Sequence, residues 1–251
     1  MNPTSLQSQY RLLEQSRWEF LEAGHKCSVL TIPSVQPREN MSRTELPHNF
    51  QSVGARGVNN LSSKLMLSLF PPTLPFMRLE MSPAAKAEIV AESGEESAKV
   101  VSEIEASLQL LEQQALSEFD TEGWRPALAE AMRLLVVTGN ALLYDRPGGK
   151  APVTADLRHY VVDRDPDNRL RAVILRQGIG REDAEERLGH TLTREQMAST
   201  ASDVAVEGGA NRDVLDLYTG ARRTSTGRFE FWQEIAGEPI EGTMRTVSKD
   251  D

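Results

Sequence analysis

Residues 134–179, LLVVTGNALLYDRPGGKAPVTADLRHYVVDRDPDNRLRAVILRQGI, decide how the chain is read. The stretch opens as the tail of an apolar helix, breaks at Thr138-Gly139-Asn140 and restarts as Ala141-Leu142-Leu143-Tyr144. Two β-rich runs follow, His159 to Asp163 and Leu170 to Arg176, joined by Asp165-Pro166-Asp167-Asn168. Val, Ile, Leu and Tyr bounded by Pro, Asn and Asp predict an antiparallel hairpin. The stretch is therefore a helix feeding a small meander, and no residue type in it demands chemistry.

Upstream, helical periodicity dominates. Leu6, Tyr10, Leu13, Phe20 and Leu21 fall near one face of a helix predicted from Leu6 to about Val29. Pro33 and Pro37 turn the chain out of it, because each disfavours the helical conformation in the residue before it. A polar loop reaches Pro47. Leu61, Leu65 and Leu69 mark a second helix, Val53 to Leu69, whose Gly54, Ala55 and Gly57 leave room for another backbone. Phe70-Pro71-Pro72 ends it, and Phe76 to Met81 alternates like a short strand. Pro83 then opens a long acidic segment, with Gly94 as an interruption and Val101, Ile104, Leu108, Leu111 and Ala115 as its apolar stripe. After Gly123, Leu128, Met132, Leu135 and Val136 define a helix from Arg125 to about Val137.

Downstream, Arg181 to Leu188 reads as a short helix, and Thr193 to Gly209 as a loop or marginal helix. Val214 to Tyr218 and Phe229 to Trp232 read as strands around Ser225-Thr226-Gly227. The predicted class is α+β, long helices packed with antiparallel strands. Residues 1–130 form a mainly helical segment, and residues 131–251 a helix plus an antiparallel meander.

Charge is unevenly placed. Twenty-eight Lys and Arg stand against 37 Asp and Glu, a net charge of −9 in 251 residues. Two lysines and eleven acids lie between Glu80 and Glu122, so this one segment carries the whole imbalance. Such a segment repels phosphate, which argues against a general nucleic-acid binder. No apolar run is long enough to span a membrane, and the first residues lack a secretory pattern. Cys27, the only cysteine, suits a reducing cytoplasm and reads as a structural thiol.

Motifs for chemistry fail one by one. Asp163, Asp165 and Asp167 have calcium-loop spacing, but Pro166 intrudes, Asn168 replaces the glycine, and Ile174 occupies the glutamate position. They read as turn aspartates. Gly149-Lys150 lacks the other residues of a phosphate loop, and Gly178 and Gly180 lack the third glycine of a dinucleotide fingerprint. His25, His48, His159 and His190 stand singly, with no zinc-ligand spacing. No catalytic, cofactor-binding or metal-binding residue is assigned, and no cofactor is expected.

Several strings in order carry a resemblance. Arg11-Leu12-Leu13 to Phe20-Leu21 is followed by Leu30-Thr31-Ile32-Pro33, then by Ser52-Val53-Gly54-Ala55 with Val58-Asn59-Asn60-Leu61. Lys64-Leu65 leads to Leu69-Phe70-Pro71-Pro72, and Val137 to Tyr144 precedes Tyr160 to Asp165. From near residue 10 to near residue 240 the chain resembles the N-terminal part of the portal, or head-to-tail connector, of short-tailed bacteriophages. The resemblance implies a structural virion protein forming a dodecameric ring at one capsid vertex, present in the host cytoplasm during assembly. It implies partnership with terminase, scaffolding, capsid and tail adaptor proteins, and passage of double-stranded DNA through the ring. It also implies no enzymatic activity, since the terminase hydrolyses ATP, and a wing of helices and antiparallel strands. The stem and clip that continue such proteins are expected to be absent here. DNA-contacting residues are left unassigned. Two other readings stay open: a hydrolase or transferase with a dispersed site, and an adaptor docking one partner through Leu108, Leu111 and Ala115.

Overall fold

Six consecutive positions, Leu215 to Gly220, are buried. A strand reaches that state only when both faces of its sheet are covered. The computed structural model describes residues 5–38, 46–47, 51–72, 74–93, 97–146, 150–200 and 214–247. In chain order these form α1 (Leu6–Ser16), α2 (Trp18–Leu30), α3 (Val53–Leu69), α4 (Pro83–Ser93), α5 (Ser97–Thr121) and α6 (Trp124–Thr138). Then come β1 (Leu142–Arg146), β2 (Lys150–Ala155), β3 (Tyr160–Arg164), β4 (Leu170–Gly180), α7 (Arg181–Leu188) and α8 (Arg194–Thr200). The last strands are β5 (Val214–Arg223), β6 (Phe229–Ile235), β7 (Glu238–Pro239) and β8 (Arg245–Val247). The class is α+β. Two compact units divide the chain: residues 1–55 with 137–142 and 155–251, and residues 56–136 with 143–154.

The first unit is built on a six-stranded antiparallel sheet in the order β3-β4-β5-β6-β7, with β8 also pairing with β6. The hairpin expected around Asp165-Pro166-Asp167-Asn168 is β3–β4, with Val161 opposite Ile174. Asn168 takes a left-handed φ of 62° to close the turn, and the Asp165 carboxylate accepts the Arg169 N–H at 2.7 Å. Cross-strand register places Val161, Ile174, Gly220 and Trp232 in one row. Leu6 and Tyr10 of α1 pack on that face, forming one core with Val161, Ile174, Tyr218 and Trp232. The opposite face presents Ile179, Leu215, Leu217 and Ile235 to Ala184, Leu192 and Ile240. The α1 core and this second core together account for the unbroken burial of β5.

Gly220 makes the α1 seat possible. A Cβ built there would meet the Leu6 side chain, which would have to shift, so the bare backbone of Gly220 suits the close seat of α1. Gly54 serves a similar end: a Cβ there would stand 2.5 Å from the Leu30 carbonyl oxygen, while Gly57 faces open space. The close backbone approach expected at Gly54, Ala55 and Gly57 thus occurs at the first of them. The single helix expected from Leu6 to Val29 is interrupted at Arg17 (φ −112°, ψ 17°), whose guanidinium reaches away to the Leu157 carbonyl. Beyond the break the face rotates, and Phe20, expected inside, is exposed.

In the second unit, Pro83 opens α4 as expected, and Ala127, Leu128, Ala131 and Leu134 form the buried stripe of α6. Phe70, Phe76, Phe119 and Trp124 make an aromatic cluster, and Arg125 lies over Phe119 while donating to the Phe70 carbonyl at 2.7 Å. That cluster corrects the strand expected at Phe76 to Met81. Phe76 is drawn into the rings, the Leu79 N–H donates to Glu112, and among the described residues the segment has no ladder partner. The face assigned to α3 also needs correction. Val58 and Ser62 are its buried residues, whereas Leu61 and Leu69 are about half exposed. Leu111 on α5 and Leu135 on α6 are likewise exposed, and Leu65 and Leu108 are half-buried. The Gly94 interruption, the turn at 147–149, and most of the polar stretches before Pro47 and after Thr193 lie outside the described residues.

Candidate functional site

Polar groups concentrate where α1 meets the sheet. The exposed N–H groups at a helix start need acceptors, and here a distant strand supplies one. Glu234 of β6, buried, accepts from the Leu6 N–H at 2.8 Å, the Gln7 N–H at 3.2 Å and the Ser5 hydroxyl at 2.5 Å. A carboxylate at the positive end of the helix dipole is favourable as well as hydrogen-bonded. The Ser5 side chain does not cap the helix itself. One turn on, the Tyr10 hydroxyl donates to the Arg158 carbonyl, and its ring lies 5.5 Å from that of Tyr218. Arg176 stands over the Tyr10 ring at 5.4 Å, and the Tyr218 hydroxyl donates to Asp216 at 3.2 Å. Burial pushes the Tyr10 phenol far above its ordinary range, so it remains a donor at all working pH values. Burial, and then the Asp216 charge, do the same to Tyr218.

Asp156 closes the other end of the seam. One oxygen accepts from the Arg158 N–H at 2.8 Å and pairs with His159 Nδ1 at 2.9 Å. The other pairs with the Arg158 guanidinium at 3.0 Å. Burial raises the carboxyl's affinity for a proton, but the His159 hydrogen bond and charge, with Arg158, outweigh it and hold the group well below the usual carboxylate range. An aspartate beside a histidine is the raw material of a general base. Here both Asp156 oxygens are engaged by Arg158 and His159 in the turn before β3, and both Glu234 oxygens hold the start of α1. Glu234, Tyr10 and Arg17 tie α1 to the sheet and to the loop before β3, while Asp156 orders that loop.

The residues weighed from sequence are dispersed. Asp163 lines an open cleft of about 310 Å³ at one end of the sheet, together with Arg171, Arg222 and Arg223. Asp165 sits in the β3–β4 turn, paired with Arg223 at 3.2 Å. Gly178 lies within β4 and Gly180 caps α7, both in an antiparallel context. His25 contacts the Gln36 carbonyl and His190 pairs with Glu238, while His48 and Gly149 lie outside the described residues. Cys27 is exposed on α2. Among the described residues no group of three His, Cys, Asp or Glu side chains is placed to hold a metal ion, and no helix is long and apolar enough to cross a membrane. Sequence reasoning missed Glu234 as the cap of α1. The two lie 228 residues apart, and no local pattern joins them.

The family profile described as "Bacteriophage head to tail connecting protein" matches residues 4–231. The portal protein of Pseudomonas phage phiKMV is 33% identical over 231 residues, covering 88% of this chain and 42% of that protein. Those of Escherichia phage T7 and Enterobacteria phage SP6 are each 29% identical, covering 97% and 94% of this chain and 44% and 43% of theirs. The chain spans somewhat over two fifths of the length of these relatives.

Proposed function

We propose, because the chain belongs to the bacteriophage head-to-tail connecting protein family, that it is the wing-forming part of a portal. The match across residues 4–231 carries this reading. The chain acts as a structural virion component rather than an enzyme. Copies of it stand side by side in a ring, of twelve by the family's habit, at one vertex of the capsid. The ring meets capsid and scaffolding proteins outside, the packaging terminase and tail adaptors below, and double-stranded DNA in its channel. Residues 1–130 supply the mainly helical part of the wing, and residues 131–251 its helix and meander.

The seam between α1 and the sheet supports a mechanical role. A wing under packaging load needs elements that do not slide. The buried charge-assisted hydrogen bonds that Glu234 accepts from the start of α1, the Tyr10 bond to the Arg158 carbonyl, and Leu6 seated over Gly220 resist sliding in a way that apolar contact alone does not. The test is genetic. A stop codon at Trp18 in the phage gene is expected to leave heads without packaged DNA, and supplying the intact protein in trans restores full heads. Normal yields of infectious particles from the stopped gene would refute the reading.

A further inference from the structure

We propose that the arginine-rich end of the six-stranded sheet docks the acidic helices α4 and α5 of a second copy of this chain. The inference rests on the reading of the chain as a ring component and names the contact that would join its neighbours. Residues 164–171 and 222–228, the two hairpin ends, carry six arginines against two aspartates in a chain whose net charge is −9. Arg171, Arg222 and Arg223 converge on the cleft of about 310 Å³, with Gln9, Ser225 and a single carboxylate, Asp163, in its lining. Arg223 is paired with Asp165, and Arg222 lies over the Trp232 ring at 5.7 Å. Among the described residues, neither Arg171 nor Arg222 has a carboxylate within 4.0 Å.

The β4–β5 ladder ends with Ala172 opposite Arg222, so Arg171 and Arg223 flank its last pair. Like charges brought together across a sheet destabilise it unless an anion neutralises them. The acidic helices carry the complementary excess. Glu88 and Glu92, four residues apart on α4, are exposed, as is Glu103 on α5. Lys86 is engaged with Glu105 at 2.6 Å, and no ion pair holds Glu88, Glu92 or Glu103 among the described residues. An i, i+4 carboxylate pair is itself repulsive, with Cβ atoms about 5–6 Å apart. Joining the two surfaces relieves both excesses at once. Arginine rather than lysine suits this, since its planar fork takes a carboxylate through two parallel hydrogen bonds. Phosphate is the less favoured occupant, because Asp163 faces the cleft and the chain as a whole repels polyanions.

A charge swap tests the contact. Arg171→Glu with Arg222→Glu makes the sheet end acidic, and Glu88→Lys with Glu92→Lys makes the helix basic. Each double variant alone is expected to require at least tenfold more protein for half-assembly in sedimentation, and an equimolar mixture of the two is expected to assemble like the parent. Parent assembly should also weaken as salt rises. Either variant assembling like the parent, or a mixture no better than its components, overturns the proposal. So does loss of duplex-DNA retention by the sheet-end variant with assembly unchanged, which would assign the arginines to phosphates. If a charge-reversed chain does not fold by circular dichroism, the neutral pairs Arg171→Gln with Arg222→Gln and Glu88→Gln with Glu92→Gln replace them. Their expected effect is an assembly insensitive to salt, and retained salt dependence contradicts the contact. A parent that never assembles defeats the ring reading as well; a parent that assembles while the swap has no effect defeats this contact alone.

Discussion

Glu234 carries more of the fold than its place in the sequence suggests. It is a buried acid on a central strand, and its two oxygens satisfy the N–H groups at the start of α1. Replacing it by Gln removes the charge and leaves one position facing N–H groups with a competing donor. Glu234→Gln is expected to lower unfolding free energy by about 2 kcal/mol in urea titration, and an unchanged midpoint would show that α1 finds water instead. Asp156 yields a pH prediction with a definite sign. Its proton affinity is depressed in the folded protein, so its stabilisation is fully present above the unfolded carboxylate value of about 3.9. It declines below that pH and is lost once the folded group takes up its proton. Asp156→Asn should therefore flatten the fall in melting temperature between roughly pH 5 and pH 2 that the parent shows. Parallel curves for the two proteins would assign the acid sensitivity elsewhere.

Among the elements, α1 on its sheet is held by fit. Gly220→Ala is expected to cost about 1–3 kcal/mol, because the new Cβ meets Leu6. Leu6→Ala in the same background should recover part of that loss, a non-additivity measurable in a double-mutant cycle. The α3 face gives a second test. Val58→Asp buries a charge and is expected to destabilise by about 3 kcal/mol or more, whereas Leu61→Asp, on the open side, should stay within about 0.5 kcal/mol. Equal effects would restore the leucine stripe as the inner face.

What the sequence disclosed at this scale follows its local physics. The β3–β4 turn and α7 were legible because Pro, Asn, Asp and Gly bear on backbone angles within a few residues. Phe76 to Met81 misled because alternation marks a strand only where a partner exists, and distant aromatic rings claimed Phe76 instead. The α3 stripe misled because four-residue recurrence of leucine says where a face is, not whether anything covers it. The two-faced burial of β5, and with it the seam, depended on contacts across more than 200 residues that no window of sequence contains.

For the whole molecule, the proposed function rests on shape and charge placement. The family match points toward a structural component of the phage head-tail junction, and the proposal made above is that it works by standing beside copies of itself. On the proposed contact, the acidic segment between Glu80 and Glu122 would serve as an interface rather than as a device to repel DNA. Negative-stain microscopy of the purified protein at micromolar concentration tests this most directly. The account predicts annular particles with a central channel, dispersing as salt is raised. Compact single-chain particles at every concentration and salt would contradict it.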